Sequence, residues 1–146
     1  MAVVTAIYSA YKNDMVTGAN SWTAATVNCA LFSASTFTAG DAAYTTSGTE
    51  VTSANGYSTG GGAVGTRTVT GTTTKVCKIT GAFGGGAAGT TTWTATGTGF
   101  SAVAAKLYVV AGSPIAHIDF GGTQTASGGG TFVITWDATN GVFSLA

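Results

Sequence analysis

The chain has 146 residues, of which 29 are Thr, 25 Ala, 23 Gly and 11 Ser, so small and hydroxyl-bearing side chains must cover most of its outside. Five basic and five acidic residues leave 7% of the chain charged, against about 25% in an ordinary soluble domain. The balanced charge excludes the basic footprint of nucleic-acid binding, and Lys12, Lys75, Lys78, Lys106 and Asp119 break every apolar stretch long enough to span a membrane.

Residues 1–26 read as an N-terminal arm or a first strand, able to dock on a partner. Val3, Val4, Ile7, Tyr8 and Tyr11 fit a helical stripe and equally well a strand or extended arm. The opening Met1-Ala2-Val3-Val4-Thr5 lacks the basic region of a secretory signal. The first clear strand runs from about Thr26 to Ser33, where Val27, Cys29 and Leu31 alternate with Asn28 and Ala30. Asp41 to Val51 is the only other stretch with helical character. Further strands are predicted near Val64–Thr70, Thr74–Gly81, Thr91–Thr96, Ala105–Val110, Ile115–Phe120, Thr131–Trp136 and Val142–Leu145. Asn140-Gly141 between the last two predicts an antiparallel hairpin, because Asn-Gly readily adopts the positive φ angles of tight turns. Pro114 stands just before a strand, where its missing N–H does least harm.

Eight short strands separated by turns predict an all-β fold: a single-domain antiparallel β-sandwich over residues 27–146, jelly-roll-like. Alternation alone does not separate jelly-roll from immunoglobulin-like strand order. Gly triplets begin at Gly60, Gly84 and Gly128; their flanks differ, so they read as turns and loop tips, not as repeats.

Chemistry-bearing motifs are scarce. Gly60-Gly61-Gly62-Ala63-Val64-Gly65 and Gly84-Gly85-Gly86-Ala87-Ala88-Gly89 match the dinucleotide fingerprint in letters only. That site needs a helix N-terminus to hold the pyrophosphate, and β-type sequence follows both matches. His117-Ile118-Asp119 puts a His and an Asp on one strand face, without a nucleophile in a recognisable setting. Asp14, Asp41, Glu50, Asp119 and Asp137 are scattered. Cys29 and Cys77 lie in apolar strands and read as buried, reduced thiols; two Cys and one His do not complete a structural zinc site. No catalytic, metal or cofactor-binding residue is assigned, and no cofactor is expected. Trp93 and Trp136 read as core. Trp22, in the loop Gly18-Ala19-Asn20-Ser21-Trp22, is the best candidate for an exposed aromatic.

Four blocks occur in an order that resembles a family of small virion structural proteins of tailed bacteriophages and their prophages. They are Val27-Asn28-Cys29-Ala30-Leu31-Phe32-Ser33; Glu50-Val51-Thr52 through Asn55-Gly56-Tyr57-Ser58-Thr59-Gly60-Gly61 to Thr68-Val69-Thr70; Ala105-Lys106-Leu107-Tyr108-Val109-Val110 with Ser113-Pro114-Ile115-Ala116-His117-Ile118-Asp119-Phe120-Gly121; and Gly129-Gly130-Thr131-Phe132-Val133-Ile134-Thr135-Trp136-Asp137. The family's acidic stretch after the first strand is thinned here to Asp41 and Glu50, and residues 1–26 match poorly. The resemblance implies a non-enzymatic capsid decoration or cement protein on the outer surface of the virion, made in the host cytoplasm. Its expected partners are the major capsid protein and further copies of itself, a trimer favoured, with neither nucleic acid nor membrane. Val3, Val4, Ile7, Tyr8 and Trp22 are the candidate partner-contact residues. The competing expectation is a tail- or fibre-associated module that binds host glycans through Trp22.

Overall fold

The computed structural model describes residues 4–145, Val4 by its backbone alone. The fold is all-β and antiparallel, with eleven strands and one short helix among the described residues. Strand β1 (Val4–Ile7) leads into helix α1 (Ser9–Thr17); then come β2 (Val27–Ser35), β3 (Gly48–Glu50), β4 (Gly62–Ala63), β5 (Arg67–Thr70) and β6 (Lys75–Ile79). Strands β7 (Thr90–Thr94), β8 (Phe100–Val109), β9 (Pro114–Ala126), β10 (Thr131–Thr135) and β11 (Phe143–Leu145) complete the chain.

The larger sheet has the order β1-β9-β8-β2-β3, with β4 also paired to β2. Opposite it stand a two-stranded sheet, β10-β7, and a three-stranded sheet, β11-β6-β5. The inner faces share one apolar cluster: Val27, Cys29, Leu31, Ala105, Leu107 and Ile118 meet Cys77, Ile79, Trp93, Phe132, Ile134 and Phe143. Aromatic rings bridge the layers, as in the edge-on contact of Trp22 with Phe143 at 5.2 Å and the stack of Phe100 with Phe132 at 5.7 Å. Large rings matter in a core whose other members are mostly small, because each removes about 150–250 Å² from water.

For the described residues 4–11, the choice left open between helix and strand resolves into two elements. The described part of 1–26 forms a first strand, Val4 to Ile7 pairing with Asp119 to Ala116 of β9. The backbone then turns into α1. That helix has no side-chain N-cap; Ser9 donates its N–H to Ala39 O instead, and Gly18 ends the helix in the left-handed conformation at φ 74°. Its only fully buried side chain is Tyr11, so tertiary packing rather than propensity holds it. Asp41–Val51 is not helical; it is a turn-rich loop that closes into β3.

All eight predicted strands form, with shifted ends. The predicted C-terminal hairpin does not: β10 pairs with β7, and β11 pairs with β6. The reason lies in the connection. Asp137 Oδ1 accepts the N–H groups of Thr139 and Asn140, both at 2.7 Å, while Gly141 N–H returns to Asp137 O. Only Gly141 takes a positive φ, 74°, where a type I′ turn needs two such residues. The result is a single helix-like turn that sends the chain across to β6. A Cβ on Gly141 would stand 2.5 Å from Cys77 O, so glycine is also what lets β11 close on β6.

Candidate functional site

The surface is less charged than the sequence suggests. Lys12, Lys75, Asp119 and Asp137 are the only fully exposed charged residues; Lys106 and Asp41 are buried and the other four are half-buried. All five acids and four of the five bases hydrogen-bond within the chain's own loops. Arg67 donates from Nε to Trp22 O at 2.8 Å, from Nη1 to Val64 O and Gly65 O, and from Nη2 to Ala25 O. Lys78 Nζ holds Ala138 O at 2.7 Å, and Lys75 Nζ holds Gly71 O at 2.8 Å. Glu50 Oε1 accepts from Tyr57 Oη at 2.6 Å and from Gly60 N–H at 2.5 Å. Asp14 and Asp119 accept from Asn20 and Gly121 in the same way. Charge here clasps loops, at exposed positions as well as buried ones.

The outer face of the large sheet carries the buried polar cluster. Lys106 and His117 are cross-strand partners on that face, covered by the loop between β2 and β3. Lys106 is fully buried; its Nζ donates to Thr46 O at 2.5 Å and stands 4.6 Å from the centre of the Phe32 ring. Burial lowers the Lys106 pKa, and the Asp41 carboxylate opposes that shift. His117 Nε2 lies 3.0 Å from Ser35 Oγ. Burial first, and Lys106 second, hold the imidazole below its ordinary pKa, against a smaller opposing effect of Asp119. Asp41 Oδ1 accepts from Ser47 Oγ at 3.1 Å, and Tyr44 stacks on Tyr108 at 3.7 Å. Burial, and after it the Asp41 charge, raises the Tyr8 phenol pKa. Sequence reasoning singled out His117 and missed Ser35, whose place opposite it depends on sheet pairing. The cluster ties one loop to the sheet.

On the inner side a half-open groove of ≈ 490 Å³ runs between β10 and the β1–β9 end of the large sheet. Ile118, Phe120, Phe132, Ile134 and Trp136 form its apolar wall, with Thr5, Thr131 and Thr135 at the rim; Asp137 is its one charged residue. His117 points to the opposite face, so the groove and the polar cluster are separate.

The sequence-predicted contact residues are not brought together on the surface. Val3 lies outside the described residues, and Val4 contributes its backbone to β1. Ile7 is half-buried against the core and Tyr8 is completely buried. Trp22 is 4% exposed, with Nε1 donating to Thr68 O at 3.1 Å and Lys78 O at 3.2 Å. The expectation of an exposed Trp22 is therefore corrected. The loop's local sequence is polar, yet a large ring gains more from covering Phe143 than from water, and Arg67 pins the loop by the Trp22 carbonyl. Cys29 and Cys77 are both buried and unbridged; burial pushes the Cys77 thiol up to about 11. No protein-family model, curated protein or solved structure matches the chain.

Proposed function

We propose that this protein is a non-enzymatic structural component of a phage virion. It decorates the outside of the head and strengthens contacts between major capsid subunits. The observation that carries this reading is the surface itself: neutral, Thr- and Gly-rich, with its charges spent on internal clasps. Charge of one sign keeps free proteins apart, and a surface without it favours permanent association. The ordered likeness of the four sequence blocks supports the same reading. A subunit that binds only the assembled shell stabilises that shell by mass action, and self-association multiplies weak contacts through avidity.

The expected partners are the major capsid protein and further copies of this chain, at the outer capsid surface. The glycan-binding alternative loses its site, because Trp22 is packed inside. Two measurements on purified particles test the proposal. Quantitative mass spectrometry should find copies in the hundreds, in simple ratio to the major capsid protein. Heads stripped of the protein should rupture at a lower temperature than complete heads. A few copies per particle, or an unchanged rupture temperature, would sink the cementing role.

A further inference from the structure

We propose that the free edge of β10 is a self-association seam, at which two copies pair their β10 strands antiparallel about a two-fold axis through Val133. The inference concerns the purified chain and stands or falls apart from the head-binding reading.

The edge is open on one side only. Among the described residues, strand β10 is hydrogen-bonded to β7 and to no other strand, and the groove borders its other side. Trp136 N–H bonds to Gly89 O, and Gly130 O accepts from Ala95 N–H. Antiparallel alternation therefore directs the backbone of Phe132 and Ile134 toward β7. Thr131, Val133 and Thr135 point their N–H and C=O groups toward the groove, a ready template for another strand.

Several other strand edges are blunted, and the edge of β1, paired only with β9 among the described residues, is one residue shorter than that of β10. The outer edge of β7 is covered by the chain at Phe83, whose N–H and C=O bond to Thr90 and Thr92. Strand β3 has three residues and a register shift against β2; β11 has three residues, and β5 carries Arg67. Strand β10 has five residues without charge, proline or irregularity, and Val133 is 48% exposed at its centre. No charged residue occurs between Asp119 and Asp137.

Two features select a second copy of this chain as the occupant. The first is sequence symmetry. Thr131-Phe132-Val133-Ile134-Thr135 is nearly palindromic about Val133. Antiparallel pairing sets Thr131 against Thr135 of the second copy, Phe132 against Ile134, and Val133 against itself. Thr–Thr and β-branched pairs are favourable across strands, and the inward Phe132 and Ile134 of the second copy extend the apolar wall. The second feature is charge. In this register Asp137 falls opposite Gly129 of the second copy, whereas a parallel pairing in register would set the two Asp137 carboxylates side by side. A neutral groove with one outlying carboxylate matches a strand that has the same charge layout. The interface is isologous and closes as a dimer.

Cysteine variants of the full chain test the register directly, since Thr131, Val133 and Thr135 are all exposed and native Cys29 and Cys77 are buried. Cα atoms in a hydrogen-bonded antiparallel pair are about 5.5 Å apart, within disulfide reach. Under mild oxidation V133C should form a covalent dimer on its own. A mixture of T131C and T135C should cross-link about tenfold faster than either variant alone, because pairing raises the effective concentration of matched thiols. By sedimentation, wild-type chain should shift toward dimer as concentration rises, and V133K should remain monomeric with an unchanged circular dichroism spectrum. A monomeric V133C, equal cross-linking of all the single variants, or a V133K that associates like wild type would each overturn the proposal.

Discussion

The two faces of β8 are buried in different ways. Ala105, Leu107 and Val109 point into the sandwich, where apolar contact is sufficient. Ala104, Lys106 and Tyr108 point outward, and the loop from 36 to 47 covers them. On the first face every neighbour adds dispersion and removes water, with no requirement for particular partners. On the second face a lysine, a histidine and an aspartate are withdrawn from water, so each needs a hydrogen bond or an opposite charge. A shape error on the inner face costs packing. A lost partner on the outer face strands a polar group.

Four experiments sharpen that contrast, in order of falling effect. Leu107 is completely buried on the inner face, and Leu107→Ala should cost about 2–5 kcal/mol in chemical denaturation, from lost transfer energy plus a cavity. A cost under 1 kcal/mol would show that the inner face collapses around the gap. Lys106→Met fills nearly the same space but leaves Thr46 O without its donor, so the expected loss is about 1–3 kcal/mol. Combining it with Asp41→Asn should give a smaller loss than the two single costs added, by at least about 0.5 kcal/mol. Strict additivity would dissociate Asp41 from the Lys106 cluster.

The third experiment is a pH series of melting temperatures. The folded His117 has a pKa below its ordinary value of 6.5, so below that pH the unfolded chain binds more protons than the folded one. Its contribution to stability is full above pH 6.5 and is lost as pH falls through the folded value. His117→Asn should flatten this part of the curve, and an unchanged slope would assign the acid sensitivity elsewhere. The smallest effect is expected at Lys75, an exposed clasp that reaches only to Gly71. Lys75→Ala should change stability by no more than about 0.5 kcal/mol.

Strand positions were legible wherever alternation coincided with a buried face, as in Val27-Asn28-Cys29-Ala30-Leu31 and in Thr131 to Thr135. The second half of β9, Gly121 to Ala126, was not legible. Its residues are small, polar and largely exposed, and pairing with Phe100 to Ala102 of β8, not composition, makes them a strand. The last hairpin was misread because Asn-Gly is compatible with two turns, and the Asp137 carboxylate selects the one that leaves the sheet. Trp22 was misread because a polar loop sequence does not reveal which ring the loop will meet. The groove beside β10 had no signal in any single residue, since it arises where two sheets end at different places.

By itself the sequence determined the all-β class, the eight principal strands, the buried thiols and the scarcity of charge. Those properties depend on side-chain type and a period of two, both local. The tertiary structure decided which strands pair, which edges stay free, and that nearly all the charges are hydrogen-bonded within the chain to hold loops. These are outcomes of long-range contact: a carbonyl becomes the partner of Arg67 or Lys106 only after distant segments have been brought beside it.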